Sequence, residues 1–210
     1  CEAVGRITIV DSASTYPPLL EWYESVKNDV TVLFKTNRGT AEAFDVPRPD
    51  SDFYVVSDSD LDLSEVPLDW LVKLREKLKR YPVPPDEGHI DKAALALRLD
   101  DLPEGQRLTE MVRAEQAAMW EESHRDDLGL WYTAFTDTTA ACYHAIHGWC
   151  GYKSVRLGPP YAARHIPWYY DLANIPEEFR YYLERINPAN SMWGRTIRQM
   201  IQPPVEHVDD

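Results

Sequence analysis

Two aspartates spaced two residues apart, Asp58 and Asp60, follow the apolar, β-prone segment 53–57. In an open α/β sheet, ligands bind beyond the carboxyl ends of the strands, so both carboxylates are expected at the rim of a crevice. Mg²⁺ and Mn²⁺ prefer oxygen ligands, and Mg²⁺ is commonly held by one or two carboxylates together with substrate phosphates. The spacing predicts a site for a divalent cation and a diphosphate. An acidic turn that only keeps a loop solvated is the alternative.

The pattern around this segment predicts an α/β fold with a mostly parallel, helix-covered central sheet. Apolar, β-branched runs predict the strands 6–11, 30–34, 53–57, 93–99, 133–143 and 154–157. Helical spacing and prolines near helix starts predict the helices 19–27, 67–81, 108–122 and 176–186. The sequence before residue 6 resembles the end of a helix, so we expect an earlier strand and helix to be missing.

The composition is that of one globular domain. We expect a single domain over 1–202, with a donor half over about 1–100 and an acceptor half over 101–202, and an acidic tail at 203–210. The net charge of −13 argues against non-specific binding to nucleic acid. Three cysteines without a framework spacing favour a reducing, cytoplasmic location, and no apolar run is long enough for a membrane span.

Three segments in the first third of the chain resemble the nucleotide-sugar-dependent glycosyltransferases of the GT-A fold, above all the large inverting "family two-like" group. Ile9-Val10-Asp11-Ser12-Ala13-Ser14 is similar to that group's strand-Asp-x-x-Ser segment. Thr36-Asn37-Arg38-Gly39 resembles its asparagine-glycine loop, and Val55-Val56-Ser57-Asp58-Ser59-Asp60 resembles its DxD strand end. Their order and spacing match the family. The family's first strand would lie before Cys1.

The resemblance implies a GT-A-like Rossmann-type three-layer sandwich and an enzyme whose donor is a nucleotide-diphosphate sugar. It implies that Asp11 and Asn37 bind the donor, that Asp58 faces the ribose or the metal, and that Asp60 binds the metal. The processive Gln-x-x-Arg-Trp signature is absent from the sequence, which favours transfer of a single sugar. An inverting reaction is expected.

The resemblance also assigns roles farther along the chain. Asp137, in Thr136-Asp137-Thr138-Thr139, falls where the family carries its catalytic base, although the usual acidic pair is missing. His165 falls where many such enzymes supply a late histidine to the metal, and an imidazole suits Mn²⁺ better than Mg²⁺. Arg164 is suited to charge-assisted hydrogen bonds with phosphate oxygens and is expected to bind the donor.

Each of these residues has a structural alternative. Asp11 can cap the following turn, Asn37 can simply form a turn, and Asp137 can bind backbone N–H groups. His165 can pack within the aromatic segment that follows it. A zinc site is a further alternative, since Cys142, His144, His147 and Cys150 are ligand types, but their spacing is cramped for such a site.

The sequence is also compatible with other functions. An apolar strand ending in Asp-x-Asp also occurs in phosphohydrolases of the haloacid-dehalogenase type, and nucleotidyltransferases use similar carboxylates. A catalytically inactive nucleotide-binding module is the third class. The sequence leaves the acceptor open among a glycan, a protein, a lipid, a small molecule and a modified base, and it leaves the oligomeric state open.

Overall fold

A computed structural model of the 210-residue chain describes residues 5–38, 40–47, 50–82, 87–136, 139–146, 153–186 and 191–201. The chain divides into two compact units. The sheet unit is built mainly from Ala43–Tyr169. The terminal unit is built from Arg6–Glu42 and from the chain that begins at Tyr170. The expected donor and acceptor halves, about 1–100 and 101–202, remain a prediction.

The described residues form strands and α-helices that alternate along much of the chain. The strands are β1 (Thr8–Asp11), β2 (Thr31–Phe34), β3 (Phe53–Val56), β4 (Leu61–Asp62), β5 (Lys92–Leu97), β6 (Ser123–Asp126), β7 (Gly129–Thr133), β8 (Ala141–His144) and β9 (Ser154–His165). The helices are α1 (Pro17–Val26), α2 (Trp70–Leu78), α3 (Arg107–Gln116), α4 (Glu177–Arg185) and α5 (Met192–Ile201).

The sheet unit contains a mixed sheet with the strand order β3-β8-β5-β9-β7-β6, and β4 pairs with β9 outside this path. Strands β5 and β9 are parallel, whereas β8 runs antiparallel to both β3 and β5, and the β6–β7 hairpin is antiparallel. The α/β class is confirmed. The prediction of a mostly parallel sheet is wrong for this unit, because β8 inserts between two strands that run against it.

Strand β5 is the centre of the sheet, and all six of its residues are buried. On α2, Leu74 and Leu78 are fully buried. Tyr143 on β8 is fully buried and stacks on Tyr54 of β3, with ring centroids 5.2 Å apart. These contacts set β3, β5 and β8 as a rigid support for the loops that follow them.

Several elements differ from the sequence expectation. The predicted strand 133–143 covers only the last residue of β7 and the first three residues of β8. Strand β9 runs well past Leu157, because its pairing with β5 jumps from Leu157 to Ala162 and resumes. Pro159 and Pro160 lie inside that irregular stretch, where a missing backbone N–H costs no ladder hydrogen bond. Helix α5 and the short strands β4 and β6 were not predicted.

The terminal unit is described by itself. Its strands β1 and β2 are parallel neighbours, with Thr8 opposite Thr31 and Asp11 opposite Phe34. Helix α1 connects them and begins with two prolines, whose missing N–H groups lie in the first turn, where no intrahelical bond is due. Tyr181 of α4 donates from its hydroxyl to the Thr15 carbonyl at 2.8 Å, which fixes α4 against the residues before α1.

Across the described part of the chain, no helix has both the length and the apolar character needed to cross a membrane.

Gly158 allows β7 to pack closely against β9. A Cβ atom at this position would lie 2.9 Å from Tyr132 Cε2 and 3.0 Å from Leu130 Cγ. The tyrosine ring is held in the sheet and cannot turn aside as the end of a flexible side chain would.

Gly158→Ala is therefore expected to destabilise the protein by about 1–3 kcal/mol, the usual cost of overpacking. The measurement is urea unfolding followed by circular dichroism. Gly5→Ala is the control, since a Cβ atom there meets no atom within 4 Å. Equal stability of the two variants would contradict this account of the packing.

Candidate functional site

One edge of the sheet collects the ends of the strands that carry the predicted site residues. Strands β3, β5 and β9 run in the same direction, since β8 is antiparallel to β3 and β5, and β5 is parallel to β9. Their carboxyl ends lead into Asp58, into the acidic segment after Leu97, and into His165. Crevices beyond the carboxyl ends of strands are where α/β sheets bind ligands.

A two-residue strand brings the DxD segment to His165. Strand β4 pairs antiparallel with the end of β9, with Leu61 opposite His165. The Ile166 N–H donates to the Asp60 carbonyl at 2.8 Å and extends this pairing. As a result, Asp60 Oδ2 lies 3.4 Å from His165 Nε2. The structure thus joins two of the three predicted metal ligands.

The geometry of this pair fits a divalent cation. Two neighbouring ligand atoms that each lie about 2.1 Å from an octahedral ion are about 3.0 Å apart, close to the 3.4 Å between Asp60 and His165. The other carboxylate oxygen, Asp60 Oδ1, is covered from solvent and has no hydrogen-bond partner among the described residues. A covered carboxylate oxygen without a donor is costly, and a cation would satisfy it.

The pair is supported from one side by aromatic packing. The His165 ring lies against Trp168, with centroids 4.8 Å apart, and Trp168 is only 2% exposed. The side chain of His165 is 17% exposed and that of Asp60 is 43% exposed. Packing fixes the imidazole, and the Asp60 side chain stays partly exposed although its Oδ1 atom is covered. The predicted alternative for His165, a packed histidine, and its role as a ligand are therefore both compatible with the structure.

Within the described part of the chain, no third protein ligand is assembled around the pair. Among the residues that the structure describes, no group of three or more histidine, cysteine, aspartate or glutamate side chains is placed to hold one metal ion. The structure therefore does not join Asp58 to Asp60 and His165 as one set of ligands. Asp58 is half-buried and follows β3 at the same edge of the sheet.

Arg164 has partners other than the phosphate expected for it. Its Nε atom lies 2.7 Å from Asp101, its Nη2 atom 2.8 Å from Glu65, and its Nη1 atom 3.5 Å from Asp62. All three nitrogens of the guanidinium group therefore face carboxylates. Its predicted role in donor binding remains a prediction, and the contacts in the structure are those of a positioning residue.

Arg98 completes this arrangement, which we call the arginine–carboxylate cluster (Asp62, Glu65, Arg98, Asp100, Asp101 and Arg164). Arg98 contacts Glu65, Asp100 and Asp101, so Glu65 and Asp101 each bridge the two arginines. Tyr169 donates to the second oxygen of Asp101 at 2.6 Å. The cluster ties the residues after β4, after β5 and on β9 together.

The cluster favours the ionised form of three of its carboxyl groups, Asp62, Glu65 and Asp101. Hydrogen bonds from Arg164 and then Arg98 lower the pKa of Glu65. Partial burial opposes ionisation of Asp101, but hydrogen bonds from Tyr169 and Arg164 outweigh it and its pKa is lowered. The pKa of Asp62 is lowered first by hydrogen bonds from Ser64 and then by Arg164. Groups with a lowered folded-state pKa stabilise the fold above their ordinary pKa, and this contribution is lost on acidification.

In the terminal unit, Asp11 has the capping role that the sequence left as an alternative. It is 3% exposed. Its Oδ1 accepts from the Ser14 N–H and its Oδ2 accepts from the Tyr23 hydroxyl, both at 2.8 Å. Burial and this hydrogen bond raise the pKa of Tyr23. Both carboxylate oxygens are thus used within the unit, and a contact with the donor remains a prediction.

Glu42 is the residue of the terminal unit that sequence analysis missed. Its side chain is 1% exposed. Oε2 accepts from the Ser12 hydroxyl at 3.0 Å, and Oε1 accepts from the Thr36 N–H at 3.1 Å and from Arg38 Nε at 3.4 Å. One carboxylate therefore holds the loops that follow β1 and β2. Asn37, in the loop after β2, has a left-handed φ of 61°.

Asp137 lies outside the described residues, so its role as the base remains a prediction. The flanking residues Thr136 and Thr139 are buried. Of the four residues considered for zinc, His147 and Cys150 also lie outside the described residues. Cys142 is a buried free thiol whose pKa is raised to about 12 by burial, as expected for an inert core cysteine.

Comparison of the chain with protein-family models, with curated proteins and with solved structures finds no match.

Arg164→Gln is expected to lower Tm at neutral pH, because it leaves three carboxylates without their shared cation. The difference from the parent protein should shrink as the pH falls from about 5 towards 2, where those carboxylates become protonated in both proteins. Differential scanning fluorimetry over this pH range measures it. Arg180→Gln, at an exposed position of α4, is the control and should change Tm little at any pH. A difference that is independent of pH would show that packing, not charge, is responsible.

Glu42→Gln is expected to lower the stability of the terminal unit. The amide keeps the shape of the side chain but removes the negative charge that faces Arg38 and leaves one acceptor atom where the carboxylate has two. Hydrogen exchange at the amides of the loops after β1 and β2 should become faster. The exposed Glu24→Gln is the matched control. Unchanged exchange at Thr36 in Glu42→Gln would contradict the role of Glu42.

Proposed function

We propose that this chain is a metal-dependent glycosyltransferase that transfers one sugar from a nucleotide-diphosphate sugar to an acceptor hydroxyl, with inversion and without processive elongation. The observation that supports it most is the 3.4 Å approach of Asp60 to His165 at the rim of the sheet. Residues widely separated in the sequence meet there, in a pairing that was proposed from motif resemblance alone. The GT-A-like sandwich is part of the same proposal.

A bound Mn²⁺ or Mg²⁺ would supply Lewis-acid stabilisation of the charge that develops on the departing diphosphate. Asp60 and His165 would hold it, and diphosphate oxygens and water would fill other positions, as is usual for Mg²⁺ sites. A carboxylate–imidazole pair favours Mn²⁺ over Mg²⁺. Asp58, at the end of β3, provides a second carboxylate close in sequence for the ribose or for a water on the metal.

The remaining roles follow from what an inverting transfer requires. A base must take the proton of the acceptor hydroxyl on the side of the anomeric carbon opposite the leaving group, and Asp137 is the candidate. Such general-base assistance is worth roughly 10²–10⁴-fold in rate. The arginine–carboxylate cluster acts on this reaction indirectly, by fixing the strand that carries His165.

The proposal predicts metal-dependent binding of nucleotide diphosphates. UDP or GDP should raise Tm in the presence of Mn²⁺ and not in the presence of EDTA, since a ligand of the native state stabilises it by RT ln(1 + [L]/Kd). Asp60→Ala should abolish this increase. Asp52→Ala is the matched control, because Asp52 is an exposed aspartate that directly precedes β3, at the opposite end of the strand.

Two results would reject the proposal. An unchanged metal-dependent increase in Asp60→Ala would remove the assignment of the metal site. Stabilisation by a simple phosphomonoester, with no response to UDP or GDP, would favour a phosphohydrolase. Parallel scans with both classes of ligand and both metal conditions separate these outcomes.

A further inference from the structure

A cavity of about 240 Å³ lies beside the arginine–carboxylate cluster, in the sheet unit. It opens where β9 departs from regular pairing with β5, between Leu157 and Ala162. Its volume is below the roughly 300 Å³ at which pockets for drug-sized ligands begin, so it suits a single small ring. Nothing in the proposed metal chemistry uses it.

Part of the cavity lining is apolar and partly exposed. Trp120, Pro159, Pro160 and Ala162 form this part. Trp120 is held in place by Tyr132, whose ring centroid is 5.0 Å away at an interplanar angle of 66°. The two prolines are exposed. A fixed indole and a proline pair form flat, rigid apolar surfaces, which suit the C–H faces of a sugar ring.

The rest of the lining is polar and includes two carboxylates. Glu65, Arg98 and Asp100 form this part. The side chains of Glu65 and Asp100 are 58% and 75% exposed, and Arg98 orients both of them. An ionised carboxylate offers about four lone-pair sites, so each retains acceptor capacity beyond its contacts with arginine. The hydroxyl groups of a ligand could therefore donate hydrogen bonds to these two carboxylates.

The charge of the cluster limits which ligands can enter the cavity. Four carboxylates surround two guanidinium groups, which leaves an excess of negative charge next to the cavity. A phosphorylated or carboxylated ring would be repelled there. An uncharged polyol would not be.

We propose that this cavity is the acceptor subsite and that it binds one neutral sugar ring, stacked on Trp120 and hydrogen-bonded to Glu65 and Asp100. The inference rests on the proposed glycosyl transfer and narrows the acceptor class to a neutral glycan or glycoside. The position of the cavity agrees with a role in acceptor binding, because Arg98 and Glu65 are linked through the cluster to Arg164, the neighbour of His165 on β9.

The test is saturation-transfer NMR with the methyl glycosides of glucose, galactose, mannose and N-acetylglucosamine, each compared with its 6-phosphate. At least one neutral glycoside should bind, and its phosphate should bind more weakly. Trp120→Ala should weaken binding roughly five- to tenfold, the range expected for loss of an aromatic contact, and Trp120→Phe should restore part of it. Trp22→Ala, which removes an exposed tryptophan of the terminal unit, is the control.

The proposed function and this inference fail separately. Trp120→Ala should retain the Mn²⁺-dependent response to UDP or GDP, and Asp60→Ala should retain glycoside binding. Equal glycoside affinity in Trp120→Ala, tighter binding of the 6-phosphates, or no saturation transfer to any neutral glycoside would each overturn the acceptor subsite. None of these results would alter the assignment of Asp60.

Discussion

The pairing of β4 with the end of β9 is the interaction on which the candidate site depends, because it places the chain after β3 beside a strand that is distant in sequence. Its hydrogen bonds are made by the backbone, so they fix the position of Asp60 without using its carboxylate. Arg164 and His165, which are neighbours on β9, have different contacts. Arg164 is held by Asp62 and Glu65 from one segment and by Asp101 from another, and this restrains the strand that continues into His165.

Backbone strain is concentrated in the segments singled out for chemistry. Among the described residues other than glycine, Ala13, Asn37 and Ala140 have positive φ angles, of 64°, 61° and 37°. Asparagine tolerates this conformation, but for alanine it costs about 1–2 kcal/mol. Ala13 follows Asp11 and Ala140 leads into β8. Strain of this kind persists where surrounding contacts over-determine the backbone, as the hydrogen bonds to Asp11 do beside Ala13.

Local patterns predicted the elements well where propensity and burial agreed. Strands β1, β2, β3 and β5 and helices α1, α2 and α4 form close to their expected positions. The pairing of the strands could not be predicted, because the insertion of β8 between β3 and β5 depends on contacts between distant segments. The burial and the partners of individual side chains were harder to predict than the strand pairing. Leu68, an apolar residue of the predicted helix 67–81, is 90% exposed, whereas Lys77 of α2 is 1% exposed, lies over Trp131 and pairs with Asp126. The roles of Arg164 and Glu42 depend likewise on partners that no local spacing reveals.

The alternation of side chains along β9 has an evolutionary consequence. Position 164 is bound to three acidic partners, so a change there is tolerated only with compensating changes at 62, 65 or 101, and these sites should drift as a set. Position 165 contacts the carboxylate of Asp60 and the ring of Trp168 instead of three acidic partners. In the proposed metal site, a change at position 165 alters one ligand and leaves the arginine–carboxylate cluster in place.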